Sequence, residues 1–368
     1  MKETLFNATQ IGPMKVSNRF AMAPMTRSRT DQPGDIPNDL MAKYYSQRAS
    51  AGLIISEGTP ISAKARGYSL TPGIYSEDHV KGWKKVTKAV HQEGGKIFIQ
   101  LWHVGRRSHS AISGSRPLAP SELKEPDKVF GPIDDKNFGM IETELPKEMS
   151  KEDITCVLKE FKVAAKNAMR AGFDGVEIHA AHGYLLDQFM RAPINKRSDE
   201  YGGNIEARLK FPLQVVDEVC KEIGADKVGI RLSPFVMEGT QQEDPEIIEL
   251  TYELLSELNK RNVGYVHFSE NISRYTEATL EFRQKARDLY HGKIIIAGKL
   301  TPERAQKILN EGYADIFAFG QPFITNPDYV RRVKEDHPIT PIDYASHSTF
   351  YGGGEKGYTD YPFISEEK

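Results

Sequence analysis

The sequence predicts a single (β/α)8 barrel that covers residues 1–368. Eight short apolar segments alternate with eight segments of helical periodicity, and no linker or change of composition divides the chain. An open, doubly wound sheet is the alternative, but it would carry a glycine-rich turn after its first strand, and the sequence lacks one. Polar residues also recur at the ends of the apolar segments, which is where the active sites of barrels lie.

The composition points to small-molecule partners. A net charge of -2 and a charged fraction of 27% give no global bias toward nucleic acid or an anionic membrane. No run approaches the ~18 apolar residues of a membrane span, and the start, MKETLFNATQ, lacks the apolar core of a secretory signal. We therefore expect a cytoplasmic enzyme, and the sequence does not choose between a monomer and a dimer.

The first part of the chain contains an N-terminal hairpin and three strand units. Residues 5–20 turn at Gly12 and Pro13, and we expect this hairpin to cap the bottom of the barrel. Strands are predicted at 20–22, 53–58 and 96–103, with helices over 41–52 and 78–93 after the first two. Residues 102–149, the excursion, then separate the third strand from the next helix. This is longer than an ordinary connection needs, so we predict a functional lid.

The second part of the chain repeats the unit five times. Strands are predicted at 175–179, 228–234, 265–270, 294–299 and 315–322, and helices at 152–171, 205–223, 245–261, 278–290, 302 onward and 326–335. Thr301 is expected to cap the helix that begins with Pro302. Cys156 and Cys220 fall on helices far from other metal-type ligands, so we expect free buried thiols and no disulfide.

The stretch from 175 to 203 carries the densest group of reactive side chains. A buried strand delivers His179 to its C-terminal end, and His182 and Tyr184 follow within five residues. Two imidazoles and a phenol in a glycine-containing loop are typical of a site. The residues alone leave three readings of the histidines open: core packing, metal ligation or catalysis. No third metal ligand is evident nearby, so we predict no metal.

Other polar residues follow the remaining strands and are expected to meet on one rim of the barrel. They are Thr26, Glu57, Gln100, His179, Arg231, Ser269, Lys299 and Gln321. Gly298 and Gly320 follow the seventh and eighth strands, where barrels commonly hold a phosphate against backbone N–H groups. We therefore expect a phosphorylated ligand.

Seven motifs in this order resemble one enzyme family. They are APMTRSR at 23–29, QLWHVGR at 100–106, GVEIHAAHGYLLDQF at 175–189, SDEYGG at 198–203, RLSP at 231–234, FGQPFITNPD at 319–328 and YGGGEKGYTDYP at 351–362. Over nearly its full length the chain resembles the Old Yellow Enzyme family of FMN-dependent, NAD(P)H-consuming ene-reductases, which includes N-ethylmaleimide reductase-like alkene reductases. The fold that the resemblance implies is the same barrel.

The resemblance implies a set of FMN-binding residues. It comprises Pro24, Met25, Thr26, Gly58, Gln100, Arg231, Gly298, Lys299, Gly320 and Gln321. By resemblance, the Thr26 hydroxyl binds the C4 carbonyl of the flavin, and Gln100 offers a donor and an acceptor to its imide edge. Arg231 lies beside N1 and the C2 carbonyl, where it stabilises the negative charge of the reduced flavin.

The resemblance also implies how the substrate is held and reduced. NADPH or NADH reduces FMN, and the flavin N5 hydride then reaches the β-carbon of an α,β-unsaturated carbonyl compound or similar activated alkene, with nitro compounds and nitrate esters as further acceptors. His179 and His182 bind the carbonyl oxygen, and Tyr184 protonates the α-carbon. The residues implied to wall the substrate pocket are Tyr68, Trp102 and Tyr351.

Two positions depart from the family pattern. Gln321 stands where the family usually has an arginine on the FMN phosphate, and Lys299 stands where it usually has a small or neutral residue. We hypothesise that Lys299 restores the missing positive charge from the neighbouring loop. Lys299 also leaves an aldolase-type barrel with a Schiff-base lysine as an alternative, and a flavin redox sensor without turnover is a second.

Overall fold

The computed structural model describes residues 4–134, 137–235, 244–270, 278–343 and 349–364. Eight parallel strands close into a barrel, in the order of the chain, so the predicted fold class is confirmed. The barrel strands are β3 (Phe20–Met22), β4 (Leu53–Pro60), β5 (Ile97–Trp102), β10 (Gly175–Ala180), β11 (Val228–Leu232), β12 (Tyr265–Ser269), β13 (Lys293–Ala297) and β14 (Ile316–Phe319). Each residue of β10, β11 and β12 is buried, because helices cover the outside of the barrel.

Helices connect the strands and pack around the barrel. They are α1 (Asp39–Ser46), α2 (Glu77–Gln92), α4 (Lys151–Arg170), α5 (Leu185–Met190), α6 (Ile205–Ile223), α7 (Ile247–Lys260), α8 (Leu280–Leu289), α9 (Pro302–Asn310), α10 (Gln321–Thr325) and α11 (Tyr329–Lys334). Short polar side chains begin them: Ser76 and Ser150 form capping boxes, and Thr301 accepts the Arg304 N–H ahead of Pro302, as predicted. Two single turns of 3-10 helix lie at Ala63–Ala65 and Ala225–Lys227.

The N-terminal hairpin, β1 (Thr9–Ile11) and β2 (Met14–Val16), pairs antiparallel and closes the bottom of the barrel. Ile11 and Val16 belong to the same buried cluster as Phe98 and other inward-facing barrel residues. Gly12 has φ +53°, and a Cβ there would lie 2.8 Å from the Asp226 carbonyl oxygen, so this tight turn requires glycine. The bottom of the barrel is therefore a packed core, and any site must lie at the other end.

The excursion after β5 has secondary structure of its own. It contains α3 (Ser110–Ser113), β6 (Leu118–Ala119), β7 (Lys128–Pro132), β8 (Phe138–Glu142) and β9 (Lys147–Glu148). Strands β7 and β8 form a hairpin, and β6 pairs with β9. Beneath them the fully buried Glu125 carboxylate lies 2.8 Å from Arg106 Nε and 3.7 Å from Arg107 Nε. The predicted long insertion after the third strand is confirmed.

Two expectations about the helices were wrong. Helix α1 ends at Ser46 instead of continuing to residue 52, because tight turns bonded from Ala49 N–H to Ser46 O and from Ala51 N–H to Arg48 O follow it. Cys156 is exposed and Cys220 is half-buried, so neither thiol lies in the core. The buried face of α4 is formed by other positions, among them Ile154, Val157 and Phe161, and Cys156 points away from it.

Across the described parts of the chain, no helix is long and apolar enough to cross a membrane. The same residues contain no group of three or more histidine, cysteine or acidic side chains placed to hold a metal ion.

Candidate active site

A cavity of about 230 Å³ opens at the carboxyl ends of the barrel strands. Nine residues line it: Pro24, Thr26, Gly58, Gln100, Trp102, His179, His182, Tyr184 and Arg231. All nine were singled out from the sequence, and the structure brings them together from five different strand ends. Four larger surface depressions in the described structure contain none of them.

The strand register explains how distant residues become neighbours. In the β10–β11 pair, His179 lies opposite Arg231, and in the β10–β5 pair Glu177 lies opposite Gln100. Gly58 of β4 also pairs with Gln100. Because side chains alternate along a strand, these positions face the barrel interior together.

His179 and His182 are neutral hydrogen-bonding groups. Burial and the charge of Arg231 lower the pKa of both imidazoles well below the ordinary value of 6.5. His179 Nδ1 accepts the Ala181 N–H at 3.3 Å, which places the ring proton on Nε2. His182 Nε2 is buried, and no described residue hydrogen-bonds to it. The ring centroids are 5.5 Å apart and nearly perpendicular, so both rings serve one small ligand region.

Tyr184 is packed edge-on against two other residues of the cavity. Its ring meets Trp102 and His179 at centroid distances of 4.9 Å, with interplanar angles of 87° and 82°. Trp102 stacks in turn on Tyr68 at 5.5 Å and 10°, so Tyr68 extends the aromatic wall outward. The structure does not place Tyr351 in the cavity lining; its side chain is about half exposed.

A buried carboxylate beneath the cavity was missed from the sequence. Glu177 is fully buried and accepts hydrogen bonds from Gln100 Nε2 at 2.7 Å, Tyr265 Oη at 3.0 Å and His267 Nδ1 at 2.8 Å. Burial is the largest single influence on the Glu177 pKa and would raise it. The opposing effects of His267 and Arg231 outweigh burial, so the pKa lies below its ordinary value. The carboxylate holds the nitrogen of the Gln100 amide toward the barrel interior, which leaves the carbonyl oxygen as an acceptor on the cavity side. The available signal was an acid two positions before His179 on the same face of an apolar strand.

Glu57 lies behind the cavity wall and does not line it. Its Oε2 accepts the Arg27 N–H at 3.1 Å, and Tyr45 Oη donates to its Oε1 at 3.3 Å. Burial raises the Glu57 pKa from 4.5 to about 7. The carboxyl therefore fixes the loop that follows β3. At the adjacent Gly58 a Cβ would lie 2.7 Å from the Trp102 ring, so the backbone there approaches Trp102 too closely for a side chain.

The four residues predicted at the phosphate lie outside this cavity, on the loops after β13 and β14. Gly298 has φ +124°, and a Cβ there would meet the Glu270 carbonyl oxygen at 1.6 Å, so packing alone demands glycine. Lys299 and Gln321 are exposed. Gly320 precedes α10, and a Cβ there would lie 3.3 Å from Met25 Sδ. The loops after β3, β13 and β14 thus form one continuous edge, because β13 and β3 both pair with β14.

The chemistry of the lining fits a flavin ring. The cavity offers an amide oxygen on Gln100, a hydroxyl on Thr26 and a guanidinium on Arg231, and Pro24 and Trp102 add flat apolar surfaces to its lining. An isoalloxazine presents an imide N–H, carbonyl oxygens and a ring that becomes negatively charged on reduction, which matches these groups. The buried His182 Nε2, which has no hydrogen-bond partner in the described structure, indicates that the cavity also receives a polar ligand.

Comparisons with known proteins agree with this arrangement. Residues 4–339 match the model of the NADH:flavin oxidoreductase / NADH oxidase family. The chain is 40% identical over 372 residues to 12-oxophytodienoate reductase 1 of Oryza sativa subsp. japonica, an alignment that covers 98% of this chain and 93% of the relative. It is 41% identical over 390 residues to the flavin oxidoreductase hxnT of Emericella nidulans, with 98% of both chains covered.

Solved structures give the same result. Morphinone reductase in complex with tetrahydroNAD superposes with a TM-score of 0.94 at 44% identity, over 99% of this chain and 98% of that one. The old yellow enzyme homologue from Zymomonas mobilis superposes with a TM-score of 0.91 at 37% identity, over 98% and 99% of the two chains. The family match covers most of the chain, and the cavity residues fit its cofactor. The chain therefore belongs to the NADH:flavin oxidoreductase / NADH oxidase family, the Old Yellow Enzyme family of FMN-dependent, NAD(P)H-oxidising ene-reductases.

Proposed function

We propose that this enzyme reduces the activated carbon–carbon double bond of α,β-unsaturated carbonyl compounds, with NADPH or NADH as reductant, in the manner of an NADPH dehydrogenase. One observation carries the proposal: two neutral imidazoles and a phenol line the same cavity as the flavin-type residues. The relatives' names include 12-oxophytodienoate reductase and morphinone reductase, which supports an organic acceptor. Nitro compounds and nitrate esters are further candidate acceptors, and we place the enzyme in the cytoplasm.

The residues that hold the cofactor are assigned by chemistry. Bound FMN, once reduced by NAD(P)H, supplies the hydride that reaches the β-carbon of the substrate. Gln100 accepts from the imide edge, Thr26 donates to a ring carbonyl, and Arg231 places a permanent positive charge where the reduced ring is negative. Met25, Gly298, Lys299, Gly320 and Gln321 lie along the edge assigned to the phosphate.

The histidine pair is assigned to the carbonyl oxygen of the substrate. Both imidazoles are neutral, so each keeps one N–H to donate and one nitrogen without a proton. Donors aimed at an oxygen that gains negative charge stabilise the transition state more than the ground state. His179 and His182 thereby polarise the double bond toward the β-carbon and stabilise the enolate.

Tyr184 is assigned to the proton transfer that completes the reduction. Its edge-on contacts with Trp102 and His179 fix the ring beside the oxygen anchors. The phenol carries an O–H that can pass its proton to carbon, as a proton donor requires. Tyr68, Trp102 and the more exposed Tyr351 are assigned to the walls around the substrate.

The whole chain is assigned to one domain, with the excursion acting as a lid over the cavity. The contact that supports this assignment is a 2.9 Å hydrogen bond from Arg107 Nη1, in the excursion, to the His182 carbonyl oxygen. A lid that bonds to the catalytic loop excludes water from the site when substrate is bound.

Spectroscopy on the purified protein tests the proposal. We expect a bound yellow chromophore that NADPH or NADH bleaches without oxygen and that cyclohexenone restores. A colourless protein that forms a borohydride-trapped adduct at Lys299 would favour the Schiff-base aldolase. Reduced flavin that cyclohexenone does not reoxidise would favour a redox sensor.

A further inference from the structure

Arg107 connects the excursion to both His182 and Tyr184. Its Nη1 donates to the His182 carbonyl oxygen at 2.9 Å, and its Nη2 donates to Asp127 Oδ2 at 2.7 Å. Its guanidinium carbon lies 5.4 Å from the centroid of the Tyr184 ring. The side chain is nearly buried, and the catalytic roles proposed above make no use of its charge.

We propose that Arg107 is a positioning residue for the proton transfer from Tyr184: its bond to the His182 carbonyl oxygen fixes the guanidinium, which sets a permanent positive charge beside the Tyr184 phenol. The proposal rests on the proposed role of Tyr184 as the proton donor. It adds a requirement that the histidines, the tyrosine and the flavin contacts do not include.

The backbone of His182 is strained and is held on both sides. This residue has φ +57°, a left-handed conformation that costs free energy for any side chain other than glycine. Its N–H donates to Ser233 Oγ at 2.8 Å, and its carbonyl oxygen accepts from Arg107. Both backbone groups of a strained residue are thus held by neighbouring elements. The Arg107 bond therefore fixes the guanidinium on a loop that Ser233 holds from the other side, and this keeps the charge beside Tyr184.

The proposed proton transfer leaves a negative charge on Tyr184. When the Tyr184 O–H bond breaks, the proton forms a C–H bond at the α-carbon of the enolate, and the phenolate that remains takes a proton from water. A guanidinium within ~6 Å favours that phenolate and never loses its own charge. Asp127 and Glu125, 2.7 Å and 3.7 Å from Arg107, weaken its field, and Glu125 is shared with Arg106, whose Nε lies 2.8 Å from it.

The same cation acts on the histidines in a compatible way. Burial and Arg231 are the main reasons for the low pKa of His182, and Arg107 contributes in the same direction. A positive charge that disfavours the imidazolium and favours the phenolate suits both groups, because the first must stay neutral and the second must become an anion.

The experiment compares Arg107→Gln, Arg107→Lys and the control Arg116→Gln, an exposed arginine of the excursion that pairs with Glu122. Each is made in the parent and in Tyr184→Phe, and reoxidation of the NADPH-reduced holoenzyme is followed with cyclohexenone and with menadione. Menadione takes its protons on oxygen from water, so it does not need Tyr184. We expect Arg107→Gln to slow the cyclohexenone step about tenfold, because the phenolate that forms on Tyr184 loses its neighbouring positive charge. Flavin reduction and the menadione step should change less than twofold, and Arg107→Lys should recover part of the loss.

The Tyr184→Phe background decides whether Arg107 acts through the phenol. We expect Arg107→Gln to cost less than twofold there, because residues that act as a unit are not additive. A full tenfold loss in that background, or equal slowing with both acceptors, would overturn the role of Arg107 and leave the assignment of Tyr184 intact. A Tyr184→Phe enzyme as fast as the parent with cyclohexenone would overturn the assignment of Tyr184 and this proposal with it. If Arg107→Gln does not fold, the same measurements are made on Arg107→Met, which also lacks the charge and should give the same results.

Discussion

At the scale of single residues, the site uses low-dielectric surroundings to keep two imidazoles neutral. His179 and His182 are buried together with Arg231, so protonating either ring would place a second positive charge in a closed space. Neutral donors can stabilise the enolate oxygen that the proposed reaction forms, and they hold the product less strongly than charged donors would.

Phenol binding tests the proposed role of His179 as an oxygen anchor. A para-substituted phenol stacked over oxidised flavin produces a long-wavelength absorption band when its oxygen is held as the phenolate. We expect His179→Ala to abolish this band and to weaken phenol binding, because the anchoring donor is lost. His291→Ala, an exposed histidine at the bottom of the barrel, should keep both. Unchanged colour and affinity in the His179 variant would show that the oxygen anchor lies elsewhere.

Glu57 makes stability depend on pH near neutrality. Its pKa rises from 4.5 to about 7 in the folded protein, so above pH 4.5 the unfolded chain loses this proton while the folded protein retains it. The unfolded state then binds fewer protons, and stability falls as pH rises from 4.5 to 7. At 1.36 kcal/mol per pH unit, the fall is about 3 kcal/mol.

Replacing the carboxyl by an amide should remove this dependence. We expect Glu57→Gln to flatten the stability of the protein between pH 4.5 and 7, measured by urea unfolding at saturating FMN. Glu144→Gln, a variant of an acid in the excursion whose pKa is lowered, serves as the control and should not flatten it. A parent protein whose stability rises across this range faster than that of Glu57→Gln would contradict the assignment.

At the scale of elements, the strand ends bring the cavity residues together, and the loops that follow them add further contacts. Of the nine cavity residues, the polar side chains at the ends of apolar strands identified Thr26, Gln100, His179 and Arg231, and the cluster after His179 identified His182 and Tyr184. Pro24, Gly58 and Trp102 were named only through the family resemblance. Glu177, Tyr265 and His267 could not be grouped in the same way, because only the closed barrel brings β10 and β12 close enough for their side chains to meet. The structure also shows the link from Arg107 to His182, which joins residues 75 positions apart.

The loops after β13 and β14 give a prediction about cofactor affinity. If Lys299 replaces the charge that Gln321 lacks, Lys299→Ala should weaken FMN binding about ten- to a hundredfold, since charge-assisted bonds contribute about 1.5–3 kcal/mol. Gln321→Arg should tighten binding and partly rescue the alanine variant. The control is Lys307→Ala, an exposed lysine on α9.

Riboflavin separates the phosphate from the ring in this experiment. Dissociation constants for FMN and riboflavin are measured on protein stripped of cofactor. A Lys299→Ala protein that binds FMN as tightly as the parent, or that loses riboflavin affinity equally, would rule out a phosphate contact.

At the scale of the whole molecule, the fold was predictable and several details were not. Strands and helices alternate along the whole chain, which predicts the barrel that the structure shows. Active sites of barrels lie at the carboxyl ends of the strands, so the predicted fold also gave the position of the site. The exposure of Cys156 was missed because one helical position does not reveal which face packs. The end of α1 was missed because turns, and not a glycine or proline signal, terminate it.

The central claim is that one cavity delivers a hydride to one carbon and a proton from Tyr184 to the next. Rapid-mixing measurements on Tyr184→Phe test it by separating flavin reduction by NADPH from flavin reoxidation by cyclohexenone. We predict that the first step stays within about twofold of the parent and that the second slows by about 10²-fold or more, the scale of one general acid. Equal loss in both steps, or an unchanged second step, would contradict the claim.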